Sequence, residues 1–446
     1  MVILSQDQYV RRAAASVRAN VLGLVLGLAA CLAMPGGLVP AGPVMAASPI
    51  YVNGTTGNNA YDGTSENWTG GTVGPKATIQ AGVDVVDAGG TVFVAAGSYT
   101  GAILAKDVNL VGAAGGGSVI AAGVPYAVGA SLTTAFRLDD AADGSEVRNF
   151  TINCIPSGVF YFGVFARGVD NAVVDAVTVN NPVQGITNRG GSNWEITNNV
   201  VSGINVPAAG GGIGISLSVL NISGTPPYYY ACSNNYVYNN TLSSVATHDD
   251  FTCPGILLAL DLRFSGGGGV PIGPEDVSGN RIIGNRYTGS GATNQVGMEI
   301  GVVGLDGDPA KIAAALGMVH DNTVSGNTVV GAEYCGMWVY TVAGLEAFGN
   351  EVTDCGGPAF RLSDGWSGGR LSCNLISGNG DGFLNDTGVV VDAEGNWWGC
   401  AGGPGESQSI RGFDQIEGIC GKLAKNPHTR RAQAVTWKVW EDNDCY

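Results

Sequence analysis

The chain has 446 residues, 45% of them hydrophobic and 13% charged, which is enough to bury a sizeable core. Its 72 glycines and 18 prolines exclude a helical bundle and favour strands joined by turns. A formal charge of −16, with no lysine between Lys106 and Lys311, excludes a nucleic-acid partner, because phosphate neutralisation needs clustered basic residues.

At the N-terminus, Arg11, Arg12 and Arg18 precede an apolar run from Val21 to Met34, and Val44-Met45-Ala46 supplies a small-residue cleavage pattern. Residues 1–46 are therefore predicted to be a signal peptide. A competing reading takes Leu28-Ala29-Ala30-Cys31 as a bacterial lipobox that would put a lipid on Cys31. Both direct the chain out of the cytoplasm, to be secreted or held at the cell surface, and the run is too short to leave a transmembrane span in the mature chain. Export permits disulfides. The nine cysteines from Cys154 to Cys445 are an odd number, so at least one is unpaired or pairs between chains. Their spacing shows no zinc pattern.

After the leader, Ile79, Val83 and Val86 fall at i, i+4 and i+7, predicting a short helix that Gly89-Gly90 ends. Thr91-Val92-Phe93-Val94 and Val108-Asn109-Leu110-Val111-Gly112 read as buried strands, with Gly97-Ser98-Tyr99 as a turn. A pattern then returns: an apolar residue, Asn three positions later, an apolar residue two further on. Val277-Ser278-Gly279-Asn280-Arg281-Ile282 is one copy, and the marker recurs at 150, 177, 199, 240, 280, 322, 350, 374 and 396, the first two copies lacking the Asn. A second strand alternates with it, beginning at Gly163, Gly185, Gly212, Gly255, Gly297 and Gly336 and continuing at Ala359 and Gly382. It obeys period two.

A unit of about 22 residues cannot bury its own apolar face, so it must stack on like neighbours. The predicted fold is all-β, a right-handed parallel β-helix over residues 47–420 with roughly eleven rungs at ~4.8 Å, the helix near Ile79 capping one end. Asn suits the turns because it tolerates the left-handed conformation, and its stacked side chains can bond rung to rung. The tail from 421 to 446, with Trp437 and Trp440, is expected to close the other end.

Tyr51-Val52, Thr78-Ile79-Gln80-Ala81, Gly90-Thr91-Val92-Phe93-Val94 and Gly97-Ser98-Tyr99-Thr100 resemble the opening rung of secreted right-handed parallel β-helix proteins of the pectate-lyase-like superfamily, some polysaccharide lyases included. Asn396-Trp397-Trp398-Gly399 with Gly403-Pro404 resembles a closing rung of bacterial and archaeal surface β-helix proteins. The resemblance covers residues 49 to 405 and implies the fold and secretion. It carries over no active site: the paired Asp, His-Gly and Arg-x-Lys motifs of polygalacturonase-like hydrolases are missing, as is a lyase calcium cluster with a nearby lysine.

Three long intervals mark insertions near 219–234, 263–276 and 304–317, expected to form a wall along one face, where binding usually resides. Outward positions read as Phe165, Thr187, Gly214, Leu257, Glu299, Trp338 and Arg361 in one row, with Arg167, Arg189, Ser216, Ala259, Gly301, Tyr340 and Ser363 in the next. Trp338 and Tyr340 would offer flat faces to sugar rings, and Arg167, Arg189 and Arg361 would bind carboxylates. Glu299, with Asp261, Arg263 and Lys311 as catalytic candidates around it, is the site expected for acid/base chemistry. No cofactor is required, but a lyase usually adds calcium, for which Asp249 and Asp250 are the candidate ligands. Two functions stay open. The first and preferred is a secreted or cell-surface protein that binds polysaccharide or cell-envelope glycan, or serves envelope structure and adhesion. The other is a polysaccharide lyase or glycoside hydrolase acting on acidic polysaccharide.

Overall fold

A computed structural model of the chain describes residues 48–127, 130, 132–154, 160–205, 212–245, 251–265, 269–393, 395–398, 410–412 and 416–417. The leader, the tail and the calcium candidates Asp249 and Asp250 lie outside the described residues. The strands pair in parallel from one turn of the chain to the next, making a right-handed parallel β-helix.

Three stacks of strands form its walls. The front stack runs through Phe160–Arg167, Gln184–Arg189, Ile213–Leu220, Cys253–Asp261 and Gln295–Val303 into the first parts of Cys335–Phe348 and Pro358–Ser372. The side stack runs through Val173–Asp175, Glu195–Thr197, Tyr236–Tyr238, Arg281–Ile283 and Thr323–Ser325 into the closing parts of the same two long strands. A ten-stranded back sheet, from Gly97–Thr100 to Leu375–Ser377, completes each rung. Ten strands at ~4.8 Å span roughly 45 Å. Gly97-Ser98-Tyr99, expected as a turn, is the first of these back strands, with Tyr99 buried in the core.

Near the start of the front strands from Phe160–Arg167 to Cys335–Phe348, glycine fills one column for a packing reason. A Cβ on Gly163, Gly185 or Gly214 would stand 2.5, 2.5 or 2.4 Å from the carbonyl oxygen of the glycine one rung on. In the rung expected to start at Gly212, Gly214 therefore occupies this column. The two-residue shift puts Ser216 opposite Thr187 and Leu257, and Ser218 opposite Arg189 and Ala259. Gly214 is thus not in the outward row.

The asparagines form two continuous ladders. In the longer one, Nδ2 of Asn199, Asn240, Asn285, Asn327, Asn350 and Asn374 each donates to Oδ1 of the next member, ending at Asn396, over 2.9 to 3.0 Å. Asn280 belongs to a second ladder, between Asn235 and Asn322. The repeat at 280 and 322 therefore marks a different corner from the one at 240. The left-handed conformation falls one residue earlier than expected, at Asn198, Asn239, Gly284, Gly326 and Gly349, which leaves the ladder Asn to point inward.

Helix α1 (Ile79–Val85) sits against the first rungs as a cap, with Ile79 and Val83 buried and the Thr78 hydroxyl accepting from the Ala81 amide. Gly82 lets it approach, since a Cβ there would lie 2.7 Å from Val52. Among the described residues, the buried thiols of Cys154, Cys232, Cys335 and Cys355 form no disulfide. Burial pushes the thiols of Cys154, Cys232 and Cys355 up to about 12, making them unreactive.

Candidate functional site

Strand register places Phe165, Thr187, Ser216, Leu257, Glu299, Trp338 and Arg361 in one outward row of the front stack. Arg167, Arg189, Ser218, Ala259, Gly301, Tyr340 and Ser363 form the next, and Asp261 lies two residues beyond Ala259 on the same strand. The start of the first row is covered. Thr187 and Phe165 are buried, Tyr126 packs 5.3 Å from the Phe165 ring, and Arg189 lies over the same ring.

The insertions then make a wall. The first is tied by Asn221, whose side chain accepts from the Tyr229 amide and donates to its carbonyl. Tyr229 lies across Gly168 and Gly190, where any Cβ would collide with it, and donates to Asp140 at 2.7 Å. Arg167 donates to the Pro227 carbonyl and covers the Tyr229 ring. Its role here is to hold this loop, in place of the expected carboxylate contact. The Ser223 amide donates to the Phe264 carbonyl, joining the first insertion to the second. The third carries helix α2 (Pro309–Ala315), capped by Asp308, which accepts from the amides of Ala310 and Lys311. Lys311 turns toward Asp306 at 3.9 Å.

Two cavities open beside this wall. One, of about 130 Å³, is bounded by Gln184, Arg189, Ser216, Ser218, Leu257, Asp261 and Phe264. The other, of about 340 Å³, is bounded by Phe251, Thr252, Glu299, Leu305, Asp306, Trp338, Tyr340 and Asp364. Arg263 lines both. It forms a bidentate pair with Asp261, through Nε at 3.0 Å and Nη2 at 2.6 Å, and its amide adds a third bond at 3.1 Å. That pairing raises the guanidinium's pKa.

Glu299 is 6% exposed, and both its oxygens are engaged. Oε1 accepts from the Tyr340 hydroxyl at 2.5 Å and Oε2 from the Thr252 hydroxyl at 2.7 Å. Burial pushes its carboxyl above the usual range, against the two hydroxyls and Arg263, with nearby Asp261 adding to the rise. Tyr340 is raised in turn, by burial and by Glu299. Asp364 is raised by burial, with Arg361 opposing.

Sequence and structure thus agree in bringing Glu299, Asp261 and Arg263 together. They differ on the rings. Tyr340 is 6% exposed and turns its hydroxyl to Glu299, so it offers no flat face. Trp338 is half-buried beside the larger cavity, its Nε1 donating to Ser363. Arg361 lies against the rings of Tyr334 and Trp338 and donates to the Tyr334 hydroxyl, so it faces aromatic surface in place of a carboxylate. The exposed rings are Phe251 and Phe264, 42% and 55% accessible, which sequence reasoning missed. Their signal was positional: each stands just outside the Cys253–Asp261 strand. Among the described residues no cluster of three or more His, Cys, Asp or Glu side chains is arranged to hold a metal ion. No helix among them is long and apolar enough to cross a membrane.

The fold makes the chain a parallel β-helix protein. No family model matches it, and no curated protein does. Solved structures do match. The A-module of the mannuronan C-5 epimerase AlgE4 of Azotobacter vinelandii is 15% identical, covering 75% of this chain and 90% of its own, with a TM-score of 0.45. The AlgE6 A-module of the same organism is 18% identical, covering 72% and 89%, with a TM-score of 0.44. A GH136 lacto-N-biosidase of Eubacterium ramulus is 14% identical, covering 81% and 67%, with a TM-score of 0.34. At such identities the likeness is one of fold.

Proposed function

We propose that the protein is exported, and that its front-face groove binds a polysaccharide at or outside the cell envelope. The carrying observation is the combination of ring surface at the cavity edges, exposed at Phe251 and Phe264 and half-buried at Trp338, with self-paired charges. Phe251, Phe264 and Trp338 stand beside two cavities, supplying apolar surface for sugar rings, while Ser216, Ser218, Thr252 and Gln184 supply neutral hydrogen-bonding groups. The carboxylates nearest the groove's centre are already committed, Asp261 to Arg263 and Glu299 to two hydroxyls, which suits a wall better than a reaction. Affinity electrophoresis of the exported protein in polysaccharide-containing gels tests this. Retardation that disappears in a Phe251→Ala/Phe264→Ala variant is expected, and unchanged migration in every gel would end the proposal.

One observation favours a second reading, glycoside hydrolysis. Burial holds the Glu299 carboxyl protonated to higher pH than usual, as a general acid requires, and Asp261 would be the partner carboxylate. New reducing ends produced by the native protein and abolished by Glu299→Gln would establish it. Product formed equally by that variant would rule Glu299 out as the acid.

A further inference from the structure

Resting on the binding reading, we infer that the groove takes an uncharged glycan and discriminates against polyuronates and polyamines. The inference comes from how the charges are arranged. Arg263 is spent on Asp261 in a bidentate pair, and Lys311 faces Asp306 from helix α2. Arg361 lies against two aromatic rings, where its charge acts on Asp364. Arg189 and Glu299 add one group of each sign, the first over phenylalanine rings and the second under two donated hydroxyls. Arg189, Arg263 and the four carboxylates line the cavities, and Lys311 and Arg361 stand behind them; taken together, the formal charges of the four cations and four carboxylates cancel.

A polyuronate would bring a regular line of carboxylates along this face. It would need surplus positive charge, which the pairing removes, and it would lie against a chain of net charge −16. Burial already disfavours the charged forms of Glu299 and Asp364, and another anion beside them raises that cost. A polyamine meets the opposite obstacle: Arg263 and Arg189 line the same walls as the carboxylates. An uncharged sugar chain avoids both, and the exposed Phe251 and Phe264 suit its apolar ring faces.

The test is affinity electrophoresis of the exported full chain in gels containing mannan, xylan or soluble β-1,4-glucan, and in parallel polygalacturonate, alginate or chitosan, each at low and high salt. Expected is retardation by at least one uncharged glycan, about tenfold stronger than by any charged one and unchanged by salt, because no counterions are released. Asp306→Asn/Asp364→Asn is expected to gain salt-sensitive retardation by polygalacturonate, with circular dichroism confirming that it folds. Salt-sensitive retardation of the native chain by polygalacturonate, alginate or chitosan, with none by the uncharged glycans, overturns the inference while leaving glycan binding intact. No retardation by any of them overturns both.

Discussion

The asparagine corner and the front-face groove are built from similar materials by opposite rules. In the corner every Asn finds its partner in the same residue one rung away, and each Nδ2 also reaches a buried carbonyl, as Asn285 does with Val237 at 3.0 Å. In the groove the charged side chains find their partners in other kinds of residue, and only Ser216 and Ser218 pair like with like, at 3.3 Å along one strand. Glu299 is held by Tyr340 from the next rung and by Thr252 from the segment before the previous one. The corner is therefore cooperative, and loss of one member leaves its neighbours unpaired in the core. The groove is modular, and its hydroxyls can turn to suit a replacement. Regular stacking thus carries stability, while the irregular wall is free to carry recognition.

The largest effect that tests this contrast is Asn285→Ala. It removes the acceptor of the Asn240 amide and of Asn240 Nδ2, deprives the carbonyl of Val237 of its Asn donor, and leaves Oδ1 of Asn327 with one of its two donors, the backbone amide of residue 285. Buried polar groups left unpaired cost ~1–3 kcal/mol each, so a loss of about 4 kcal/mol in denaturant unfolding is expected after partial relaxation. Glu299→Gln should cost under about 1 kcal/mol at neutral pH, because Thr252 and Tyr340 can each donate or accept. Equal losses from the two variants would refute the contrast.

Glu299 also has a signature in pH. Its carboxyl is raised in the folded state, so the folded chain holds this proton more tightly than the unfolded one. Its contribution to stability is therefore present at low pH and declines as pH rises from the ordinary carboxylate range through the raised value. Glu299→Gln should flatten that part of the unfolding profile. A profile of unchanged slope would mean that Glu299 titrates like an exposed carboxylate.

Smaller effects separate recognition from folding. Phe264→Ala or Phe251→Ala should weaken glycan retention by about 1–2 kcal/mol while moving stability by less than about 0.5 kcal/mol, since both rings are exposed. Were either to unfold the protein, its ring would belong with the ladder and not with the groove.

The same division explains what could be read from the sequence. The rung and the grouping of Glu299 with Asp261 and Arg263 follow from period two and the stacking of repeats, and the capping helix from the helical spacing of Ile79, Val83 and Val86. The corner at Asn280 was misaligned because the long rungs carry two Asn corners five residues apart, Asn280 and Asn285, and spacing alone does not say which one continues the ladder. The shift at Gly214 has a like cause, since Gly212 and Gly214 both fit period two and backbone crowding chooses between them. The burial of Tyr340 and the exposure of Phe264 depend on where the insertions turn, and no periodicity governs that.

The smallest expected effect lies in the regular part itself. The residue before the inward position of each corner adopts positive φ, and it is Asn or Gly at 149, 198, 239, 284, 326, 349 and 395 but cysteine at 373, with φ 55°, and alanine at 176, with φ 53°. A Cβ in this region crowds the following carbonyl and costs roughly 1–2 kcal/mol, which asparagine reduces by local hydrogen bonding. Ala176 is exposed, so Ala176→Asn changes little else. It should stabilise the protein by about 0.5–1 kcal/mol, seen as a higher denaturant midpoint at constant slope. Gly326→Ala supplies the converse. Its added Cβ meets nothing nearer than the Gly284 nitrogen at 4.0 Å, so any loss, expected at about 1 kcal/mol, comes from the backbone alone. If Ala176→Asn gained nothing while Gly326→Ala lost that amount, rung 176 would hold its left-handed residue through packing that the other corners lack.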